Sequence, residues 1–272
     1  MKIHPRVSLS MVSHWNWPVE RDLAFCEREG IQTVGLSLAK LEAAGGWRRH
    51  VAAIRERGFR VTNLLGVDSF PLFDRTTWAA RREGLLDALD AAAAHGAEQV
   101  ILTSGPARDL CWEEAADACA EALAPIVEAA TTRGLSLALE NTHALRVDIG
   151  FVHTLRDAID LARQIGSGVC MEINACWAEQ GLAQTIAAGS EVISIVQLSD
   201  FAIGTRCTPD RLVPGDGDIP LARIVGQLLA AGYGGVFDIE MVGPRIDAEG
   251  YESASPRALQ HVSVLLERVA SA

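Results

Sequence analysis

Four oxygen-donor side chains recur at the same place in this sequence, the end of a short apolar run. Ser136-Leu137-Ala138-Leu139 leads into Glu140, Val169-Cys170-Met171 into Glu172, Ile195-Val196 into Gln197, and Val236-Phe237-Asp238-Ile239 into Glu240. Continuous apolar runs of this length read as strands covered on both faces. The carboxyl ends of such strands are where barrels and open α/β sheets place reactive groups. Brought together on one rim, three carboxylates would repel strongly in a partly buried site. A divalent cation removes that repulsion, and an all-oxygen set favours Mg²⁺ or Mn²⁺ over thiol-bound zinc. The alternative gives each carboxylate its own arginine or helix end.

The elements that must position these groups follow from the hydrophobic pattern. Strands are predicted at 7–11, 33–37, 60–65, 99–102, 136–140, 169–172, 193–198 and 236–240. Helical stretches alternate with them at 19–29, 40–57, 74–95, 113–133, 154–165, 178–188 and 221–231, with a last helix opening at Ser255-Pro256 as N-cap and first turn. Pro125 is expected to kink or restart its helix, because proline removes a backbone bond and clashes with the preceding turn. Every strand-to-strand interval is long enough for a crossover helix. Eight such units close most naturally as a single (β/α)₈ TIM barrel over residues 1–272, with a doubly wound sheet as second choice. No G-x-G-x-x-G or G-K-[ST] loop supports a nucleotide fold.

Composition narrows the partners. The chain has 272 residues and a formal charge of −11, which disfavours nucleic acid and anionic membrane surfaces. No uncharged apolar run reaches the roughly 18 residues of a membrane span, and the N-terminus lacks the apolar core of a signal peptide. Six scattered cysteines with no C-x-x-C pair read as reduced, buried thiols. A cytoplasmic protein is expected.

In its motifs the chain resembles the sugar isomerase/epimerase superfamily with the xylose-isomerase-like TIM barrel. The matching residues are Leu139-Glu140-Asn141, Met171-Glu172-Ile173-Asn174, Val196-Gln197-Leu198-Ser199-Asp200, Pro214-Gly215-Asp216-Gly217-Asp218 and Asp238-Ile239-Glu240. The resemblance implies one divalent ion, Mn²⁺ or Mg²⁺, held by Glu140, Glu172, Gln197 and Glu240, with Glu140 and Glu240 also serving as opposed acid and base. Two positions depart from the superfamily pattern: Glu172 stands where Asp is usual, and Gln197 where His is usual. The customary His three residues past the strand-six acid is replaced by Ala175. His143, on the rim, either takes over that role as acid or substrate contact or is a loop histidine bonded to backbone.

Several other residues follow strands and are expected near the rim. Trp15, Trp17, Phe70 and Trp177 offer rings on which a sugar face stacks, or else pack under loops. Asn141 orients a metal ligand or touches substrate, or is an ordinary strand-end turn residue; Asp200 holds the seventh loop, and Arg206 and Arg211 bind substrate or stay ion-paired. The implied activity is isomerisation or epimerisation of a sugar, keto-sugar or related polyol through an enediolate, in a chain free to form homo-oligomers. A lyase dehydrating a keto-polyol of inosose or dehydroshikimate type is the alternative. Behind these stand a non-catalytic carbohydrate-binding barrel and an endonuclease-IV-like repair enzyme, the latter disfavoured by the charge and by the scarcity of rim histidines.

Overall fold

The computed structural model describes residues 2–271 and closes eight parallel strands into one barrel in chain order. The strands are β1 (Val7–Ser10), β2 (Thr33–Ser37), β3 (Arg60–Leu65), β4 (Gln99–Thr103), β5 (Ser136–Glu140), β6 (Gly168–Glu172), β7 (Ile193–Leu198) and β8 (Val236–Ile239). Closure is made between β1 and β8, where Val7 faces Phe237 and Leu9 faces Ile239. The helices are α1 (Val19–Glu29), α2 (Leu38–Ala43), α3 (Val51–Glu56), α4 (Trp78–His95), α5 (Trp112–Thr132), α6 (Leu155–Ile165), α7 (Ile173–Cys176), α8 (Leu182–Gly189), α9 (Leu221–Ala230), α10 (Pro244–Glu249) and α11 (Tyr251–Ala270). No helix among the described residues is long and apolar enough to cross a membrane.

All eight expected strands are present, but three helical expectations change. The single helix over 40–57 is broken: α2 stops at Ala43, and Gly45 and Gly46 both take positive φ before a 3-10 turn leads into α3. Positive φ is accessible to glycine without strain and ends a helix. Pro125 does not restart a helix, since α5 runs through it from Trp112 to Thr132. Ser255-Pro256 does not open the last helix; α11 begins at Tyr251, and Ser255 lies one full turn inside it, buried. Its hydroxyl is bonded to His14 rather than to a helix terminus.

Side chains two apart on a strand share a face. This period sets the barrel interior in layers beneath the strand ends. Ala138 lies one step below Glu140, Cys170 below Glu172, Ile195 below Gln197 and Asp238 below Glu240. Ile101, Ala138, Cys170 and Ile195 form an apolar cluster with Leu65 against it, separate from the larger core between strands and helices. The opposite wall is polar: Asn63 Nδ2 donates to Asp238 Oδ2 at 3.2 Å, and Ser8 and Thr62 hydroxyls lie 3.1 Å apart. Gly35 makes room for this pair, since a Cβ there would fall 2.8 Å from Asn63 Nδ2 and 3.0 Å from Asp238 Oδ2.

Candidate active site

At the carboxyl ends of the strands lies a cavity of about 720 Å³. Glu140 and Glu240 line it together with Arg211, Arg146, Thr103 and Trp15. Glu172 and Gln197 do not; they lie behind Arg211, with 1% and 0% of their surfaces exposed. The four predicted ion ligands are thus brought to one rim but arranged around an arginine. Arg211 Nη1 stands 2.6 Å from Glu172 Oε2 and 3.2 Å from Glu240 Oε1. The same nitrogen donates to the Glu240 backbone carbonyl at 3.0 Å.

A loop built on Asp200 fixes this arginine. Asp200 Oδ1 accepts from the backbone of Phe201 and Ile219, and Oδ2 accepts from Gly215, so one carboxylate gathers the Pro214–Asp218 turn around itself. A Cβ at Gly217 would collide with Asp200, which accounts for the glycine. Asp200 and Leu212 also exchange both backbone hydrogen bonds, at 3.0 and 2.9 Å. The next residue back, Arg211, donates its N–H to Val242 at 3.0 Å. The turn that looks like a motif for chemistry is a device for aiming Arg211.

Electrostatics separate the two cavity-facing carboxylates. Burial, reinforced by the negative charges of Glu240 and Glu172, pushes Glu140 up to about 8. Burial also raises Glu240, to about 7, with Arg211 pulling the other way and Glu172 and Asp238 adding to the rise. Asp238, one layer below, is lifted by burial to about 6 against hydrogen bonds from Ser8 and Asn63. Burial disfavours the Arg211 charge, yet Glu172, Glu240 and Glu140 together hold it protonated above its ordinary range. Such displaced values are what proton-transfer sites use.

The donor set does not fit a divalent ion as it is arranged. Gln197 turns its NH₂ group to Glu240 Oε2, while its carbonyl oxygen accepts from the Cys170 thiol at 3.2 Å. Glu172 Oε1 accepts the Asn174 backbone N–H at 2.9 Å, and its other oxygen faces Arg211. Among the described residues, no three His, Cys, Asp or Glu side chains are grouped to hold an ion. The set Glu140, Glu172, Gln197 and Glu240 therefore presents two carboxylates already facing a cation, an amide presenting its donor, and one carboxylate left over.

The other predicted contacts divide. Trp15 is half exposed at the cavity wall, and Arg211 is in the site. Trp17 is instead buried in a cluster with His14, Phe25 and Tyr251, and Phe70 is buried against Trp78. Trp177 packs with Phe201 outside the cavity, and Arg206 is exposed away from it. Asn141 is a clamp between β5 and β6: its Nδ2 donates to the Glu172 carbonyl at 3.1 Å and its Oδ1 accepts the Glu172 N–H at 3.0 Å. His143 does not line the cavity; its Nδ1 accepts the Leu145 N–H at 3.1 Å, a loop role. Arg146 is a charged cavity residue the sequence does not single out, paired with Asp148 at 3.0 Å in an irregular loop.

Solved structures of other proteins share this fold. No curated protein matches the sequence. A protein of Sinorhizobium meliloti 1021 is 21% identical with a TM-score of 0.82, over 94% of this chain and 97% of that one. The IolI protein, solved with a binding zinc atom, is 17% identical with a TM-score of 0.84, over 97% and 99%. The apo 3-keto-D-glucoside 4-epimerase YcjR of E. coli is 16% identical with a TM-score of 0.73, over 96% and 99%. At these identities the likeness is one of fold. The model of one family, described as the xylose isomerase-like TIM barrel, matches residues 23–262. With nearly the whole closed barrel inside that match, this chain belongs to the xylose isomerase-like TIM-barrel family.

Proposed function

We infer that the protein is an isomerase or epimerase of a small keto-polyol, moving a proton on carbon next to a carbonyl. The observation that carries this is the pair of cavity-facing carboxylates, half-buried Glu140 and buried Glu240, whose affinities for protons are both shifted toward neutrality. Glu240, beside Arg211, ionises first and is the base that takes the proton from carbon; Glu140, the more strongly raised, is the acid that returns one. Return to the opposite face of the same carbon inverts it, and return to the neighbouring carbon moves the carbonyl. Similar folds are those of proteins described as a 3-keto-glucoside epimerase and an L-ribulose 3-epimerase, which supports a sugar-like substrate.

In this family resemblance the electrophile is a divalent ion, Mn²⁺ or Mg²⁺, whose chemistry when bound would be to stabilise the enediolate. The residues present do not offer it four oxygens. The cavity is wide enough for a hexose or a cyclic polyol, and Trp15 gives one face an aromatic wall.

The test is exchange of deuterium from heavy water into ketopentoses, ketohexoses and inososes, read by NMR. Incorporation at the carbon beside the carbonyl, lost in E140Q and E240Q, is the expected result. Exchange that survives both substitutions removes these carboxylates from the reaction. A product lighter by one water would instead identify the lyase outcome.

A further inference from the structure

We propose that Arg211 is the resident cation of this barrel, standing in the place of a divalent ion, so that the site works with a guanidinium and takes up no metal. The sites of three side chains make this case together. Nη1 of Arg211 lies 2.6 Å from Glu172 and 3.2 Å from Glu240, two of the three carboxylates expected to hold an ion. Gln197, the third expected ligand, presents its NH₂ to Glu240 and spends its oxygen on Cys170. Exchanging the two amide atoms would set oxygen against a carboxylate oxygen, so the carboxylate and the thiol both favour the arrangement seen. Glu172 has no oxygen free of both the Asn174 N–H and Arg211.

The guanidinium is not a visitor. Its backbone is bonded to Val242, its neighbour Leu212 is paired to Asp200, and its Nη1 is bonded to the Glu240 carbonyl, while only 14% of its side chain is exposed. Arginine stays charged under all ordinary conditions and presents several donors in a fixed plane. A divalent ion beside it would meet a permanent like charge. The departures at positions 172 and 197 then have one common reason: a longer carboxylate reaches a guanidinium, and an amide donates to the second carboxylate, where a histidine would ligate. The cavity-facing edge of Arg211 is suited to an uncharged or developing anionic oxygen, the carbonyl of an α-hydroxyketone. That last step rests on the isomerase reading; the identity of the cation does not.

The experiment is a Mn²⁺ titration followed by the electron paramagnetic resonance signal of the free ion, on wild type, R211Q and R211K. Wild type and R211K are expected to leave the signal undiminished at millimolar Mn²⁺. R211Q, with Glu172 and Glu240 no longer facing a fixed positive charge, is expected to bind one ion per chain at least about tenfold more tightly than wild type. Stoichiometric binding by wild type, or equal failure of wild type and R211Q to bind, overturns the proposal. Should R211Q not fold, wild type decides alone. A melting temperature identical in EDTA and in millimolar Mn²⁺ supports the guanidinium, and a rise of several degrees with Mn²⁺ refutes it. None of these readouts uses turnover, so a wrong substrate class leaves the result intact.

Discussion

Two buried charged networks lie in this barrel, and they are built on opposite principles. Beneath the first loop, Asp22 accepts from His14 Nδ1 at 2.9 Å with one oxygen and from Lys40 Nζ with the other. Lys40 also donates to the carbonyls of Met11 and His14 at 3.1 and 2.7 Å, and His14 Nε2 meets Ser255 Oγ at 2.7 Å. One anion meets one cation, and none of these polar atoms is left without a partner. At the other network, Glu172 and Glu240 share one guanidinium, while among the described residues Glu140 is left without an ion-pair partner and Asp238 Oδ1 has no hydrogen-bond donor. The first has the connectivity of a Ser-His-Asp triad yet opens on no cavity, with Ser255 fully buried and rings of Trp17, Phe25 and Tyr251 packed on His14. Connectivity alone does not make a catalytic site; access and unmet charge do.

Substitutions sharpen this contrast. E140Q should lower turnover by about 10²–10⁴-fold while leaving urea stability unchanged or slightly higher, because it removes a repelled charge. K40M should do the reverse: it strands Asp22 in the interior at a cost of about 3–5 kcal/mol, read by urea denaturation, while leaving any surviving folded protein active. Equal loss of stability in both would erase the distinction between the networks.

The pH dependence of stability discriminates further. Glu140, Glu240 and Asp238 bind protons more tightly when folded, with values of about 8, 7 and 6. Between the ordinary carboxylate range and those values the folded state holds more protons than the unfolded one. Their stabilisation is therefore full at acidic pH and is lost as pH rises through the folded values. The melting temperature should fall from pH 5 to pH 8, and E140Q should flatten the upper part of that slope. A melting temperature that climbs over this window would show that the site is not charge-frustrated. The smallest effect is expected for S255A, about 1–3 kcal/mol from leaving His14 Nε2 unpaired, measured by the same denaturation and with turnover unaffected.

The strand ends are legible in the sequence because an apolar run followed by a carboxylate has a period, and the closed barrel then brings 140, 172, 197 and 240 to one rim. What surrounds them is less legible. Trp17 and Phe70 follow strands just as Trp15 does, but loop position along the chain does not say which face a ring turns to, and both are buried in the core. Arg211 lies in a Pro- and Gly-rich stretch with no period at all. Its aim depends on Asp200 collecting the backbone of Gly215 and Ile219, 15 and 19 positions further along the chain, rather than on any local spacing. The break at Gly45-Gly46 is readable from its dipeptide; the true start of α11 is not, because Ser255-Pro256 has the composition of a helix opening while its hydroxyl is claimed by His14.

That claim also has a kinetic consequence. His14 and Ser255 are 241 residues apart, and the His4 backbone N–H is bonded to Ser263 Oγ at 3.0 Å. The first and last segments of the chain are thus stitched together, and Lys40 and Asp22 gain their dry surroundings only when α11 docks. α11 must leave the ribosome before this seam can close, so the nascent barrel carries an unsealed ionic core until Tyr251–Ala270 has emerged. Linking the segment before β1 directly to the end of α11 and reopening the chain in a distant surface loop would make the seam local. Such a permutant should refold faster than the native order, with the same final structure.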